Sequence, residues 1–294
     1  MPASLTDQTA GRDGALTRSR KRRHGKELLC EYLFRPLAHP LVLAFAWLRI
    51  PPPAVVLLAA AVGFASALGL ARGDLLAAAI LLQLKTVLDN ADGQLARLTG
   101  RVSVLGRYLD AESDLLVDAA LCVALAWFAG SLPLGLVTFV ALTFVLGVNF
   151  NVERLYRRER GESAEAMPAA TGIAQLLARL YGIVYHPVDR LLDWFMAWRL
   201  RPAGADPAAR RAYHDSATVT VLANLGLSTQ LAVFGLCLVA GRPGAYTLFV
   251  VACLALLVPL AVRRDIRLRR ALGEQFAADS ITTASSDPRR YTRT

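Results

Sequence analysis

Four aspartates fall in two closely spaced pairs in this 294-residue chain, Asp89 with Asp92 and Asp110 with Asp114. Residues three or four apart share one face of a helix about a turn from each other, so each pair presents two carboxylates side by side. No histidine or cysteine lies between Asp89 and Asp114. A carboxylate-only set suits hard divalent cations, Mg²⁺ or Mn²⁺, which take oxygen ligands and keep positions open for a substrate phosphate. Two such ions suit displacement at phosphorus, where they clamp the attacking and leaving oxygens. The residues between the pairs fit the same chemistry. Gly93 and Gly106 remove side chains where a ligand or a neighbouring helix must approach, and Arg97 can pair a phosphate bidentately.

Two helices must run in opposite directions to bring the pairs together, and the surrounding sequence says where. The chain is 55% hydrophobic, and its apolar residues gather in long blocks rather than in an alternating or amphipathic pattern. The blocks Pro53–Ala71, Leu75–Leu88, Asp114–Ala129, Leu132–Val148, Ala217–Ala240 and Tyr246–Val262 each approach the roughly 20 residues that cross a bilayer as helix. The expectation is an all-α integral membrane protein, a six-helix transmembrane bundle. The net charge of +10 is unevenly spread. Basic residues crowd Arg18–Lys26, Arg97–Arg107, Arg154–Arg160 and Arg263–Arg270, and they are sparse in Ala71–Asp74, Gly130–Pro133 and Gly241–Gly244. These sets alternate along the chain. The positive-inside rule then places both termini and the aspartate pairs on the cytosolic side of an inner (plasma) membrane. The basic tail is read as meeting anionic membrane lipids and fixing orientation, not as binding nucleic acid. Met1–Arg23 lacks the pattern of a cleavable signal.

Residues 1–27 are expected to form a basic cytosolic tail. Leu28–Ile50 mixes apolar residues with Glu31, Arg35, His39 and Arg49 and reads as an N-terminal amphipathic interfacial helix leading into the bundle. The Pro51-Pro52-Pro53 run marks the start of the first span, because proline is tolerated only in a helix's first turn. A connection over 151–215 contains two helical patterns, Ile173–Leu180 and Val184–Leu200, the second rich in aromatic residues suited to the headgroup level. The membrane domain is taken as 28–272, followed by a polar tail at 273–294 expected to be disordered. Cys30, Cys122, Cys237 and Cys253 stand alone and read as packing residues.

The pattern Asp-x-x-Asp-Gly-x-x-Ala-Arg, eight residues, Gly-x-x-x-Asp-x-x-x-Asp over Asp89–Asp114 closely resembles the signature of the CDP-alcohol phosphotransferase family, and every position is matched. The resemblance implies that Asp89, Asp92, Asp110 and Asp114 hold two divalent ions, with Asp114 also the base for the acceptor hydroxyl. It implies that Gly93, Ala96, Arg97, Ser103 and Gly106 surround the cytidine diphosphate part of the donor. The implied reaction transfers a phosphatidyl-type group from a CDP-activated lipid, CDP-diacylglycerol or a relative, to an alcohol or phosphorylated polyol, with release of CMP; a homodimer is implied in the same way. The chain departs from well-known members at Pro52-Pro53-Ala54-Val55, where an Asn and Thr often follow the first proline, and at Leu115, where a basic residue often follows the last aspartate.

Several side chains stay open. Asp118 continues the Asp110/Asp114 face and reads as a brace behind the ligands, whereas Glu112 points off that face and reads as a solvated interfacial charge. Arg154, Arg157 and Arg158 either bind a phosphorylated acceptor or enforce topology. Asn224, Ser228 and Gln230 are polar positions within the fifth apolar block and should face a cavity or the bundle interior. Two other functions compete: an intramembrane prenyltransferase, which Asp110 and Asp114 alone would fit, and a divalent metal-ion transporter, which would place the carboxylates near the bilayer midplane.

Overall fold

The computed structural model describes residues 25–162, 172–204 and 206–285, so most of the basic tail and the last residues, 286–294, lie outside it. Every regular element among the described residues is helical. A π-helical turn, Cys30–Phe34, leads into α1 (Arg35–Trp47), followed by α2 (Pro52–Arg72), α3 (Leu75–Leu98), α4 (Val104–Phe128) and α5 (Leu132–Arg158). Then come α6 (Ile173–Arg199), a 3-10 turn at Arg201–Ala203, α7 (Pro207–Tyr213), α8 (Ser216–Ala223), α9 (Leu227–Val239) and α10 (Ala245–Ser285).

Helix ends follow local chemistry. Pro51 is extended at the N-cap of α2 and Pro52 opens the helix, where its missing N–H costs nothing. Gly73, at φ +85°, ends α2 in the left-handed conformation that favours glycine. Asp206 and Asp215 cap α7 and α8 with their carboxylates on the first free backbone N–H groups.

Among the described residues, four helical stretches are long and apolar enough to cross a membrane: α2, α5, the run Pro207–Val239, and Ala245–Glu274 within α10. Helices α3 and α4, with 24 and 25 residues, have comparable length, but they carry the aspartates and so a heavier load of charge. The apolar blocks prove to be the inner parts of longer helices. Leu75–Leu88 continues to Leu98, and the last helix runs through Gly273 to Ser285, so the described part of the tail expected to be disordered from 273 is helical instead. The two helical patterns at Ile173–Leu180 and Val184–Leu200 join into one helix through 181–183, and Pro187 lies inside it.

The fifth block departs most from expectation. It breaks at Asn224–Gly226 into α8 and α9. The Asn224 side chain accepts from Leu28 N at 2.9 Å and donates to Lys26 O at 2.7 Å, so the break receives the N-terminal strand of chain. Gln230 is fully buried there and donates to Leu225 O at 3.2 Å, satisfying a carbonyl that the broken helix leaves free. Asn224 thus serves the break, and Gln230 faces the bundle interior, where its Oε1 also accepts from Tyr246 Oη at 3.3 Å.

Packing sets the stage for the site. Helix α2 runs closely along both α3 and α4, while α3 and α4 approach each other much less closely. Gly63 of α2 makes this possible: a Cβ there would fall 2.5 Å from Val117 Cγ1 and 3.3 Å from Lys85 Cγ. Leu82, Leu121, Leu125, Leu142 and the stacked rings of Phe234 and Tyr246, 4.3 Å apart, form the main core. The result is a wedge, open between α3 and α4 and floored by α2.

Candidate active site

The end of the wedge is fixed by a tight connection. Thr99 donates its hydroxyl to Leu95 O at 2.8 Å as α3 ends, and Gly100 takes φ +67°. Ser103 then starts α4, its Oγ accepting from Gly106 N at 3.0 Å. Because the two helices leave this turn in opposite directions, Asp89 and Asp92 on α3 come level with Asp110 and Asp114 on α4. The charges of Asp110, Asp89 and Asp114 all act on Asp92, so the four carboxylates form one electrostatic group.

At its inner edge sits a residue that sequence reasoning did not single out. Lys85, only 1% exposed, donates to Asp89 Oδ2 and, at 2.5 Å, to Asp114 Oδ1. Its ammonium thus bridges the two helices. A signal was present: a lysine inside an apolar run, one turn before Asp89, needs an acidic partner to be buried. Asp118 stands one turn beyond Asp114, 6% exposed, and its Oδ1 has no hydrogen-bond partner.

The remaining predicted residues divide. The guanidinium of Arg97 folds over Gly93, with Nη1 3.2 Å from where a Cβ at 93 would stand, so the bare glycine makes room for the arginine. Ser103 Oγ and Gly106 are joined as a helix cap, which gives Ser103 a structural task at the mouth of the site. Ala96 is partly exposed on the same stretch. The side chains between the ligand positions look away from the wedge: Asn90 accepts from Cys30 Sγ at 3.0 Å, and Gln94 donates to Arg35 O at 3.3 Å. Glu112 corrects an expectation. It is 7% exposed, not solvated, although α4 keeps an open face at Leu116, Val123 and Trp127.

The arginines proposed for an acceptor lie at the end of α5. Arg154 Nη2 meets Asp193 Oδ1 at 2.7 Å, Arg157 Nη2 meets Glu153 Oε1 at 2.5 Å, and Arg158 is exposed. Nearby, Arg210 grips Glu159 through Nη2 at 2.6 Å and Nε at 3.0 Å, and this holds the Glu159 carboxyl below its ordinary range. Arg264, expected as a topology charge, is instead buried. It donates to Tyr213 O at 3.1 Å, lies 3.1 Å from His214 Nδ1, and stacks on the Tyr213 ring at 4.1 Å.

The carboxylate group was tested for its fit to divalent ions. Its donors are oxygens only, it is held by two helices that leave a cleft between them, and a cation, the Lys85 ammonium, already bridges Asp89 and Asp114. Among the described residues no three acidic, imidazole or thiol groups converge tightly enough to be a finished metal site. The ammonium occupies the position between two of them. In kind and placement the residues fit.

Comparison with known proteins points the same way. The sequence profile of the CDP-alcohol phosphatidyltransferase family matches residues 40–200, which include the whole wedge. A stretch of 80 residues is 41% identical to the bifunctional IPC transferase and DIPP synthase of Thermococcus kodakarensis and covers 26% of this chain and 18% of that protein. Archaetidylinositol phosphate synthases from Pyrococcus horikoshii and Aeropyrum pernix are 39% and 34% identical over 98 and 125 residues, covering 33% and 42% of this chain. The matches span 48% and 60% of those two proteins.

Proposed function

The chain belongs to the CDP-alcohol phosphatidyltransferase family, and from that premise we propose that it transfers a phosphatidyl-type group from a CDP-activated lipid, CDP-diacylglycerol first among candidates, to the hydroxyl of a phosphorylated polyol. Membership makes it a membrane-integral transferase of phospholipid biosynthesis. The observation that carries the finer reading is the gathering of two aspartate pairs about one buried cation at the end of an open wedge. The names of two relatives make a phosphorylated inositol the acceptor to try first.

In this reading α3 and α4 join α2, α5, α8–α9 and α10 as six spans, α1 lies at the interface, and the aspartate end faces the cytosol. The membrane domain is 28–272, followed by the tail at 273–294, and two copies pair as a homodimer in an inner membrane.

Asp89, Asp92, Asp110 and Asp114 would hold two divalent ions, Mg²⁺ or Mn²⁺, which when bound neutralise charge on the diphosphate. Arg97 binds a phosphate oxygen of the donor from the mouth of the wedge, with Gly93 giving it room and with Ala96 and Gly106 lining the approach. Asp114 accepts the proton of the acceptor hydroxyl as its oxygen bonds to the lipid-side phosphorus. The phosphorus–oxygen bond to CMP breaks, and CMP leaves with the electron pair. Arg154, Arg157 and Arg158 bind the acceptor's own phosphate. Ser103 shapes the mouth as the cap of α4.

The test is CMP release by purified protein supplied with CDP-diacylglycerol, Mg²⁺ or Mn²⁺, and a panel of alcohols and phosphorylated polyols. Acceptor-dependent release that Asp114→Asn abolishes is the expected result. Folded protein that releases no CMP with any acceptor rejects the proposal.

A further inference from the structure

Lys85 and Asp118 are both buried, yet the site as described uses only one of them. Lys85 spends its ammonium on Asp89 and Asp114. Asp118 keeps a carboxylate oxygen without a partner at 6% exposure, which is costly for a charged group and calls for an explanation. The two residues are within electrostatic reach, and Lys85 is the foremost charged group acting on Asp118. Their register is also matched. Lys85 lies one turn before Asp89 on α3, and Asp118 lies one turn after Asp114 on α4, so both stand about 6 Å deeper in the wedge than the aspartates that Lys85 now holds. The lysine stem passes the bare face of Gly63. A four-carbon stem spans that step by changing rotamers, with no helix movement.

We propose that Lys85 is a counter-ion with two stations: it bridges Asp89 and Asp114 as seen here, and it withdraws to Asp118 when divalent ions take those carboxylates. This rests on the transferase reading of the same site. Divalent ions on Asp89 and Asp114 repel an ammonium in contact with both, and burial prevents it from escaping to water. Asp118 is the acceptor that makes withdrawal affordable. In the arrangement seen here Asp118 Oδ1 has no hydrogen-bond partner, and after the exchange the Lys85 ammonium supplies one. The exchange also takes the ammonium off Asp114 Oδ1, which leaves that carboxylate more basic toward the proton of an alcohol. Lys85 and Asp118 are therefore positioning residues, acting through the carboxylates.

The experiment is Mn²⁺ binding to the purified full chain in detergent, followed by the electron paramagnetic resonance signal of free Mn²⁺, with no lipid substrate present. Asp118→Asn should weaken binding by about 10- to 100-fold, because the displaced ammonium loses its second station. Lys85→Met should tighten binding by about tenfold, because the competitor is gone. In the Lys85→Met background, Asp118→Asn should add nothing, and that non-additivity is the signature of the relay. Unchanged affinity in Asp118→Asn overturns the proposal, as does an Asp118→Asn effect that persists at full size without the lysine. If Lys85→Met does not fold, Lys85→Gln replaces it, and Asp118→Asn alone still decides. Wild-type protein that binds no Mn²⁺ rejects the metal-dependent transferase reading together with this one, whereas wild-type binding that Asp118→Asn leaves untouched rejects the relay alone.

Discussion

Replacing Gly63 with alanine tests the wedge most directly. The added Cβ would lie 2.5 and 2.9 Å from the two γ-carbons of Val117 and 3.3 Å from Lys85 Cγ. Carbon atoms rest at about 3.5–4.0 Å, so α2 must back away from α4 by about 1 Å or Val117 must leave its rotamer. Val117 is fully buried, and it has nowhere free to turn. Overpacking of this kind costs about 1–3 kcal/mol. Thermal and denaturant unfolding of purified protein in detergent would read the loss. The companion variant Val117→Ala removes both offending carbons. Gly63→Ala with Val117→Ala should therefore be less destabilised than the sum of the two single changes, by at least about 1 kcal/mol. Gly63→Ala as stable as wild type, or strict additivity in the pair, would refute the close approach of α2 to α4 and with it the wedge.

Three further outcomes are expected. Ser103→Ala should cost about 1 kcal/mol of stability by removing the cap on Gly106 N, and Ser103→Asp should recover it, as read by thermal unfolding. Asn224→Ala should raise amide hydrogen exchange at Leu28, whose N–H that side chain holds, while leaving the core of α2 protected. Glu159→Gln should cost no more than about 1 kcal/mol at neutral pH. The Glu159 carboxyl is held below its ordinary value of 4.5, chiefly by its hydrogen bond with Arg210, so its contribution is fully present above that value and fades as pH falls through the lowered one. Wild type and Glu159→Gln should then converge in stability at acid pH, as measured by melting temperature across a pH series.

The aspartate spacing was legible because a helix converts sequence separation into position with little freedom. Two pairs on two helices joined by a short turn can meet in few ways. The helix start after Pro51 was legible for the same local reason, whereas Ser103, read as a donor contact, proves to cap α4. Lys85 was hidden because it stands within an apolar run, where hydropathy counts it as one exception among many leucines and alanines. Glu112 was misjudged because α4 does have an open side, at Leu116, Val123 and Trp127, and which side that is depends on where distant parts of the chain pack. The break at Asn224–Gly226 was masked by the apolar residues on both sides of it. Its cause is tertiary, since the Asn224 amide bonds with Lys26 and Leu28. Arg264 looked like its basic neighbours, yet only it turns inward toward Tyr213 and His214.

That clasp between Asn224 and the segment at Lys26–Leu28 also sets an order of assembly. The two partners are separated by about 200 residues of synthesis, so the beginning of the chain must wait, at about 5–20 residues per second, some 10–40 s before its partner leaves the ribosome. During that interval Lys26–Leu28 lack this clasp. The wedge can form early from α2, α3 and α4, and α1 with its leading π-helical turn can already lean on α3 through Cys30–Asn90 and Arg35–Gln94, but the residues ahead of Cys30 wait for α8 and α9. Arrival of the α8–α9 break is thus registered at Lys26–Leu28, close to the first described residues of the chain.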